Sequence, residues 1–150
     1  MGGLPRARPE GLGAIAAVRL GELRFLGEVF DRISRDYPAT RDGLSLTERR
    51  VLAAVADGAP SAGRAVGRAM ARETRPFMGD TTYFGRMDRM PQGQHPLLRL
   101  DPPGHPVEPT TGVRLTGTGT GARVLVGEAD HVALNGIDQW ISGVHLQGHR

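Results

Sequence analysis

The sequence predicts a mainly helical α+β fold: a winged-helix-like cluster of three helices with a small β-hairpin, plus an N-terminal helix and an irregular C-terminal extension. The first observation is the order of patterns in residues 45–115, where three short helix patterns precede a strand, a Pro/Gly-rich loop and a second strand. The second is composition. Gly 22 and Pro 11 among 150 residues favour many turns, and 39% hydrophobic but only 5% aromatic residues favour an aliphatic core.

Length and charge limit the class of protein. A chain of 150 residues favours one domain, and a net charge of +3 permits an acidic partner without requiring one. All 19 basic residues are arginine, and because this bias covers the whole chain it favours a GC-rich coding sequence over selected phosphate contacts. The absence of cysteine excludes disulfides and thiol catalysis. No stretch approaches the roughly 18 apolar residues of a membrane span, so we expect a cytoplasmic protein without a membrane partner.

We expect four segments along the chain. Residues 1–21 form a disordered lead rich in Gly, Pro and Arg. Residues 22–38 form a docking helix, because apolar residues recur at three- and four-residue steps and a Tyr-Pro pair ends the pattern. Residues 39–127 form the winged-helix-like module, and residues 128–150 form the C-terminal extension. The apolar positions of the docking helix are Leu23, Leu26, Phe30 and Ile33.

The first two helices of the module have clear starts. Ser45 and Glu48 have the spacing of a capping box, in which each side chain accepts a hydrogen bond from the other residue's backbone N–H. That helix runs to about residue 57. Ser61 caps the second helix, which runs to about residue 73. The second helix carries arginines at i, i+4 and i+8, which form either a phosphate-contacting stripe or a solvated face: Arg64, Arg68 and Arg72.

The third helix, residues 81–90 with Asp80 as its cap, combines two stripes. One stripe is apolar and packs on the core. The other lies about 100° around the axis and is polar and basic, as a recognition helix requires in order to face a nucleic-acid groove. The alternative is a core helix with one wet side. The apolar stripe is Tyr83, Met87 and Met90, and the polar stripe is Thr82, Arg86 and Arg89.

Residues 96–100 and 113–115 are predicted to be the strands of a wing, separated by a Pro/Gly-rich loop. Only Arg99 and Arg114 are basic nearby, so this wing carries less positive charge than a wing that inserts into a groove. Residues 116–127 form a turn that leads into a short helix. Their glycine pattern matches a variant of the dinucleotide-binding fingerprint, but the remaining chain is too short for the required βαβ unit. No cofactor is expected.

The C-terminal extension carries the greatest variety of polar side chains, on short helix and strand pieces. Asp138 and His145 are an acid and a base without the third member that a catalytic site needs. Trp140 suits a docking anchor better than a substrate platform. His145 and His149 have i, i+4 spacing, but no third ligand accompanies them, so no metal is expected. No nucleophile accompanies these residues either, and no catalytic residue is assigned. The candidate polar site comprises Asp130, Asp138, Trp140 and His145.

Five groups of residues between positions 23 and 148 support a resemblance to a known family. They are Arg41-Asp42-Gly43-Leu44-Ser45 with Thr47-Glu48-Arg49; Phe77-Met78-Gly79-Asp80; Leu115-Thr116 with Gly121 and Val124-Leu125; Gly127-Glu128-Ala129-Asp130; and Leu134-Asn135-Gly136-Ile137-Asp138 with Trp140 and Gly143-Val144-His145-Leu146. The chain resembles the C-terminal half of the bacterial family called domain of unknown function 1835. Longer members carry a preceding α/β domain and a Trp-rich tail, so the resemblance implies a fragment, a shortened paralogue or a mis-started reading frame. It implies no catalytic residue.

Three functions are compatible with these patterns. The first is nucleic-acid binding in a regulatory role, with DNA as the partner and with Arg86 and Arg89 neutralising phosphates beside the arginines of the second helix. The alternative is a protein-interaction or dimerisation module of the same fold, which the weak wing and the mild net charge favour. The last is a fragment of an enzyme, in which residues 130–149 line a site that another domain completes. We do not expect the chain to be an enzyme by itself.

Overall fold

A computed structural model describes residues 24–104, 106–108 and 112–150. Within these ranges the chain is a mainly helical α+β protein with two small antiparallel hairpins, which confirms the predicted fold class. The predicted lead, residues 1–21, lies outside the described residues. The elements are α1 Arg24–Ser34, α2 Leu46–Ala56, α3 Ala62–Met70, α4 Asp80–Arg89, β1 Leu98–Asp101, β2 Arg114–Gly117, α5 Gly119–Leu125, α6 His131–Asn135, β3 Ile137–Ile141 and β4 Val144–Gly148.

Helices α2 and α3 begin where the capping residues predict. The Ser45 hydroxyl accepts from the Glu48 N–H at 3.1 Å, and the Glu48 carboxylate accepts from the Ser45 N–H at 2.8 Å. Gly58 follows α2 with a φ of 90°, the left-handed conformation that glycine adopts without strain. Ser61 caps α3, which ends at Met70, about one turn earlier than predicted. The early end of α3 leaves the following residues free to turn toward α1.

Helix α4 starts one residue before the predicted position. Gly79 occupies the N-cap position with extended backbone, and Asp80 is the first helical residue. The Asp80 carboxylate accepts from the N–H of its neighbour Thr81 at 2.8 Å, so the prediction that Asp80 caps the helix is wrong. The predicted apolar stripe of this helix is confirmed, because Tyr83, Met87 and Met90 are all buried.

The wing strands pair in the register Leu98↔Gly117 and Leu100↔Leu115, one to two residues later than the predicted bounds. The Leu98, Leu100 and Leu115 side chains are buried, whereas the alternate residues are exposed. The Leu115 N–H also donates to the Pro60 carbonyl at 3.3 Å, which ties β2 to the connection between α2 and α3. The elements α2, α3, α4, β1 and β2 therefore have the winged-helix order, with the wing fastened across the helix cluster.

One apolar core lies between helices α2 to α4 and the inner face of the wing. Helix α5 closes it from the far side, where Gly121 permits close packing: a Cβ at this glycine would lie 2.3 Å from the Leu97 carbonyl oxygen. The largest fully buried hydrophobic side chains are Leu44, Val51, Leu52, Tyr83, Met87, Leu97, Leu98 and Val124.

The C-terminal extension is more regular than predicted, because it contains the β3–β4 hairpin. Trp140 pairs with His145 across the two strands. Ser142 and Gly143 connect the strands with φ values of 48° and 80°, the two positive values that a tight primed turn requires. The Ser-Gly pair is a weaker hairpin signal than Asn-Gly, which explains why the sequence patterns suggested only short strand pieces.

Candidate functional site

A buried carboxylate, Glu73, joins α1 to the helix cluster. The Arg32 guanidinium donates to both carboxylate oxygens, with Nε at 3.0 Å from each and Nη2 at 2.7 Å from Oε1. The Tyr83 hydroxyl donates to Oε1 at 2.7 Å, and the Arg50 guanidinium lies 2.9 Å from the same oxygen. Because Arg32 belongs to α1, Arg50 to α2 and Tyr83 to α4, this one carboxylate connects three helices.

The ionisation of this cluster follows from its contacts. Burial alone would raise the pKa of Glu73, but the hydrogen bonds from Arg32 and Tyr83 and the nearby Arg50 guanidinium outweigh it and lower the pKa to about 2. Burial and the hydrogen bond to Glu73 raise the pKa of Tyr83 to about 12. Burial opposes the charge on Arg32, and its bond to Glu73 more than compensates, so the pKa of Arg32 is raised. Glu73 and Arg32 therefore remain a charged pair.

A second polar cluster surrounds Arg86 on α4. Its Nη2 donates to the Asp36 carboxylate at 2.7 Å, and its Nη1 donates to the Gln139 side chain of β3. The neighbouring Arg89 donates from Nη1 to the same Gln139 oxygen at 3.0 Å and to the Asp138 carbonyl at 3.3 Å. Only 12% of the Arg86 side chain is exposed. Arg86 and Arg89 thus hold the β3–β4 hairpin against α4.

These contacts make the polar stripe on α4 less exposed than its spacing predicts. The prediction of an exposed Thr/Arg stripe is wrong for Arg86, because Asp36 and the hairpin cover its guanidinium. Thr82 is half-buried, and Arg89 is exposed but bonded through one nitrogen to the hairpin. The physical reason is that the covering groups come from segments about 50 residues away in sequence, which a local helical pattern does not reveal.

The arginines of α3 present a different environment. Arg64 and Arg68 are exposed on the helix, and Arg72 is exposed just beyond its end. Arg68 makes one long bond, 3.5 Å from Nη1 to the Asp57 carbonyl, and Arg72 lies 3.9 Å from the Asp57 carboxylate. The Arg64 guanidinium has no hydrogen bond to any residue within the described ranges. This stripe is available to a partner.

Three residues of the predicted polar site meet on the outer face of the β3–β4 hairpin. The Trp140 and His145 rings stack with their centroids 4.8 Å apart and their planes within 9°. The His145 Nε2 atom lies 2.7 Å from the Asp138 carboxylate. Trp140 is 68% exposed. We call these three residues the Trp140 face. The fourth predicted residue, Asp130, is elsewhere: it caps α6 and pairs with Arg150 at 3.3 Å.

His131, which the sequence patterns do not single out, lines a cavity of about 300 Å³ between α2, α4, α6 and the start of β3. Asn135, four residues later on α6, lies with its Nδ2 atom 3.0 Å from the His131 Nδ1 atom. Burial lowers the pKa of His131, although the nearby Glu48 and Asp130 carboxylates oppose this effect. The i, i+4 spacing of His131 and Asn135 was the one local signal of this contact.

No group of three or more potential metal-ligating side chains occurs within residues 24–104, 106–108 and 112–150. The i, i+4 spacing of His145 and His149 has no helical meaning here, since His145 belongs to β4 and His149 follows the strand. No helix within these residues is long and apolar enough to cross a membrane.

Comparison of the chain with protein-family models, with curated proteins and with solved structures finds no match. The described residues form a mainly helical α+β domain in which the C-terminal hairpin covers Arg86 of α4. The resemblance to the domain of unknown function 1835 family stays a prediction.

Proposed function

We propose that the protein is a regulatory protein-interaction module that associates with a second copy of itself through the Trp140 face. The observation that carries this proposal is the exposure of Trp140, the one tryptophan in the sequence, on the outer face of a hairpin. Exposed tryptophans in fixed positions are frequent anchors of protein interfaces, because they bury a large area with little loss of rotamer freedom.

The hairpin holds this face in a fixed position. On its inner side the Gln139 and Ile141 side chains are buried, and Gln139 accepts from Arg86 and Arg89. The Tyr37 hydroxyl donates to the Ile141 carbonyl at 3.2 Å. The arginines of α4 therefore act inside the domain, and the surface that they support is the hairpin.

A second copy fits this face because the face carries a carboxylate and an imidazole within hydrogen-bond distance of each other. Asp138 supplies a carboxylate and His145 an imidazole, beside the apolar surface of Trp140. In a two-fold interface each patch meets its own copy, so one protomer's carboxylate can approach the other's imidazole while the two indoles pack together. Such an interface needs about 800 Å² from each partner, so further surface around the hairpin would contribute.

The experiment combines light scattering with fluorescence. We expect the mass of the purified chain to rise with concentration. As the dimer forms, the emission of Trp140 should shift to shorter wavelength and become resistant to acrylamide quenching. Trp140→Ala abolishes the rise in mass, whereas Phe25→Ala, at another exposed aromatic residue, leaves it unchanged. A monomeric mass up to millimolar concentration, or an unchanged dimer in Trp140→Ala, contradicts the proposal.

A second candidate function is weak nucleic-acid binding through the arginines of α3, favoured by the exposure of Arg64, Arg68 and Arg72. These side chains would neutralise phosphates, which is the contact that supplies sequence-independent binding. Fluorescence anisotropy with a labelled random duplex tests it at low and moderate salt. Affinity that falls with salt and is lost in an Arg64/Arg68/Arg72→Ala variant supports it, and salt-independent or absent binding rejects it.

The same measurement on an Arg86→Ala/Arg89→Ala variant distinguishes the two stripes. Loss of binding in that variant alone, with the fold intact by circular dichroism, would return the nucleic-acid contact to α4. The enzyme-fragment hypothesis and the cytoplasmic location stay predictions.

A further inference from the structure

We propose that the cavity around His131 binds a small zwitterionic molecule, with an α-amino acid as the simplest member of the class. The cavity has a volume of about 300 Å³, which matches the smaller ligand pockets of proteins. The cavity lies beside α6 and the start of β3, and it shares Asp138 with the Trp140 face. Because the recognition chemistry comes from other lining residues, ligand binding does not depend on the proposed self-association. Three of its lining side chains supply the recognition chemistry: Glu48, Arg89 and His131.

The hydrogen bonds between the Asn135 amide and the His95 backbone determine which nitrogen of His131 carries the proton. The Asn135 Oδ1 atom accepts from the His95 N–H at 2.9 Å, and the Asn135 Nδ2 atom donates to the His95 carbonyl at 2.8 Å. These two bonds fix the orientation of the amide, because a backbone N–H only donates and a carbonyl only accepts. The Asn135 Nδ2 atom is therefore the donor toward His131 Nδ1 at 3.0 Å. His131 is neutral, with its proton on Nε2.

This arrangement leaves a donor without a partner. The His131 Nε2–H makes no hydrogen bond to any residue in the described part of the chain, and the half-buried ring presents it to the cavity. Arg89 lines the same cavity, and only its Nη1 atom is bonded, so its remaining guanidinium donors are available too. An imidazole N–H and a guanidinium together suit a carboxylate group.

Glu48 supplies a negatively charged group that suits the ammonium group of the ligand. This residue is 7% exposed, and one of its oxygens accepts the capping bond from the Ser45 N–H. The other oxygen, Oε1, accepts no hydrogen bond from the described residues, and the carboxylate forms no ion pair with them. A buried carboxylate without a cation favours a positively charged group beside it, such as an ammonium. A simple anion is disfavoured, since Asp138 also lines the cavity.

Two glycines in the wall of the cavity lie in close contact with α6 and its cap. Gly93 adopts a φ of 89°, and a Cβ there would lie 2.8 Å from the Asn135 side-chain oxygen. Gly43 adopts a φ of 74°, and a Cβ there would lie 2.6 Å from the Asp130 carboxylate. These glycines let two turns pack directly against α6, which positions Asn135 and therefore the tautomer of His131.

The first experiment is a thermal-shift screen of the full chain with each of the twenty standard amino acids at about 10 mM, followed by calorimetric titration of those that bind. We expect at least one to bind with a Kd near or below about 1 mM, and its amide and its des-amino acid to bind at least about tenfold more weakly. Binding of none of the twenty, or equal binding of the des-amino acid, overturns the proposal.

Variants locate the site. Glu48→Gln keeps the capping box, because Gln also accepts from the N-cap N–H, but removes the charge that would face the ammonium. It weakens binding by about tenfold or more, and so does Arg89→Leu. Arg99→Leu, on the outer face of the wing, leaves the affinity unchanged and is the matched control. Unchanged affinity in both cavity variants would place the ligand elsewhere and overturn the assignment.

Nuclear magnetic resonance tests the donor directly. A long-range ¹H–¹⁵N spectrum at neutral pH shows His131 as a neutral ring protonated at Nε2, and the Nε2 resonance moves when the amino acid is added. A ring protonated at Nδ1, or an imidazolium, contradicts the recognition scheme whether or not a ligand binds.

Discussion

Two neighbouring helices carry similar arginine stripes and use them in opposite ways. On α4, Arg86 is buried against Asp36 and the hairpin. Around α3, Arg64 and Arg68 extend into solvent. The spacing of the residues along each helix is equally regular, so the difference lies in what covers the helix. The Asp36 carboxylate, just after α1, and the Gln139 amide of β3 reach α4. Among the described residues, Asp57 at the end of α2 is the acceptor that approaches the α3 stripe.

The difference teaches that an arginine stripe is a binding surface only where the fold leaves it uncovered. A buried arginine requires a buried acceptor, since an unpaired charge in the interior costs several kcal/mol. Asp36 and Glu73 supply those acceptors for the inner arginines. Exposed arginines need none, because water solvates them. Removing partners from each group should therefore produce effects of very different size.

The largest effect is expected for Glu73→Gln, which removes the carboxylate that Arg32 and Arg50 share. Arg32 then keeps only the more distant Asp36 carboxylate at 3.9 Å, and Arg50 loses its ion-pair partner among the described residues. We therefore expect a loss of about 3–5 kcal/mol in the free energy of unfolding at pH 7. Urea denaturation measures it. Asp57→Asn, which removes the exposed partner of Arg72, is the control and should change stability by less than about 1 kcal/mol. Equal effects of the two substitutions would erase the distinction between inner and outer arginines.

The same carboxylate makes stability depend on pH. Its pKa is about 2 in the folded chain, against an ordinary value of 4.5, so its stabilisation is complete above about pH 4.5 and is lost as the pH falls toward 2. The difference corresponds to about 3 kcal/mol. Denaturation at a series of pH values should show the wild-type chain approaching Glu73→Gln on acidification. A constant gap between the two chains from pH 6 to pH 2.5 would contradict this linkage.

A smaller loss, about 2–3 kcal/mol, is expected for Arg86→Met, which keeps the aliphatic stem and removes the charge. Asp36 retains the Thr47 hydroxyl at 3.0 Å and the Arg32 guanidinium at 3.9 Å, so it is not left entirely unpaired. Urea denaturation gives the magnitude, with Arg64→Met as the matched substitution on α3. If Arg64→Met destabilises the chain as much as Arg86→Met, the contrast between the helices fails.

The smallest effects on stability are expected on the exposed stripe. Each single substitution to alanine at Arg64, Arg68 or Arg72 should change the free energy of unfolding by less than about 0.5 kcal/mol, because solvent already screens these charges. Thermal denaturation of the three variants checks this. A loss above about 1 kcal/mol at any of them would mean that the side chain has a structural partner.

Local patterns predicted the fold well. The capping box of α2, the serine cap of α3 and the apolar stripe of α4 all follow from spacing within one turn, and each is confirmed. The polar contacts did not follow, because their partners are far apart in sequence: Arg32 and Glu73 are separated by 41 positions, and Arg86 and Gln139 by 53. No periodicity relates such pairs, so the spacing on α4 leaves open whether its polar stripe faces a groove or is the wet side of a core helix.

In the candidate site too, local patterns predict some contacts and not those between residues distant in sequence. The sequence drew attention to Asp138, Trp140 and His145, and the alternation of side chains along two paired strands brings them together. It gave no indication that His131 would be buried, since its environment depends on His95, 36 positions earlier in the chain, through Asn135. Such three-residue arrangements emerge only when the segments are packed.

The attachment of α1 has a consequence for how the molecule opens. This helix buries only Gly27 fully, and its junction with the rest depends on Arg32 and Asp36. An element held by charges with little apolar burial can detach while the core stays intact. Backbone amides of α1 should therefore exchange with deuterium through a local opening that requires less free energy than global unfolding. After correction for the intrinsic exchange rate, that opening free energy should fall on acidification as Glu73 takes up a proton. The domain would then unfold in two steps. The helix α1, which ion pairs hold, would detach first, and the apolar core would unfold only at a higher free energy.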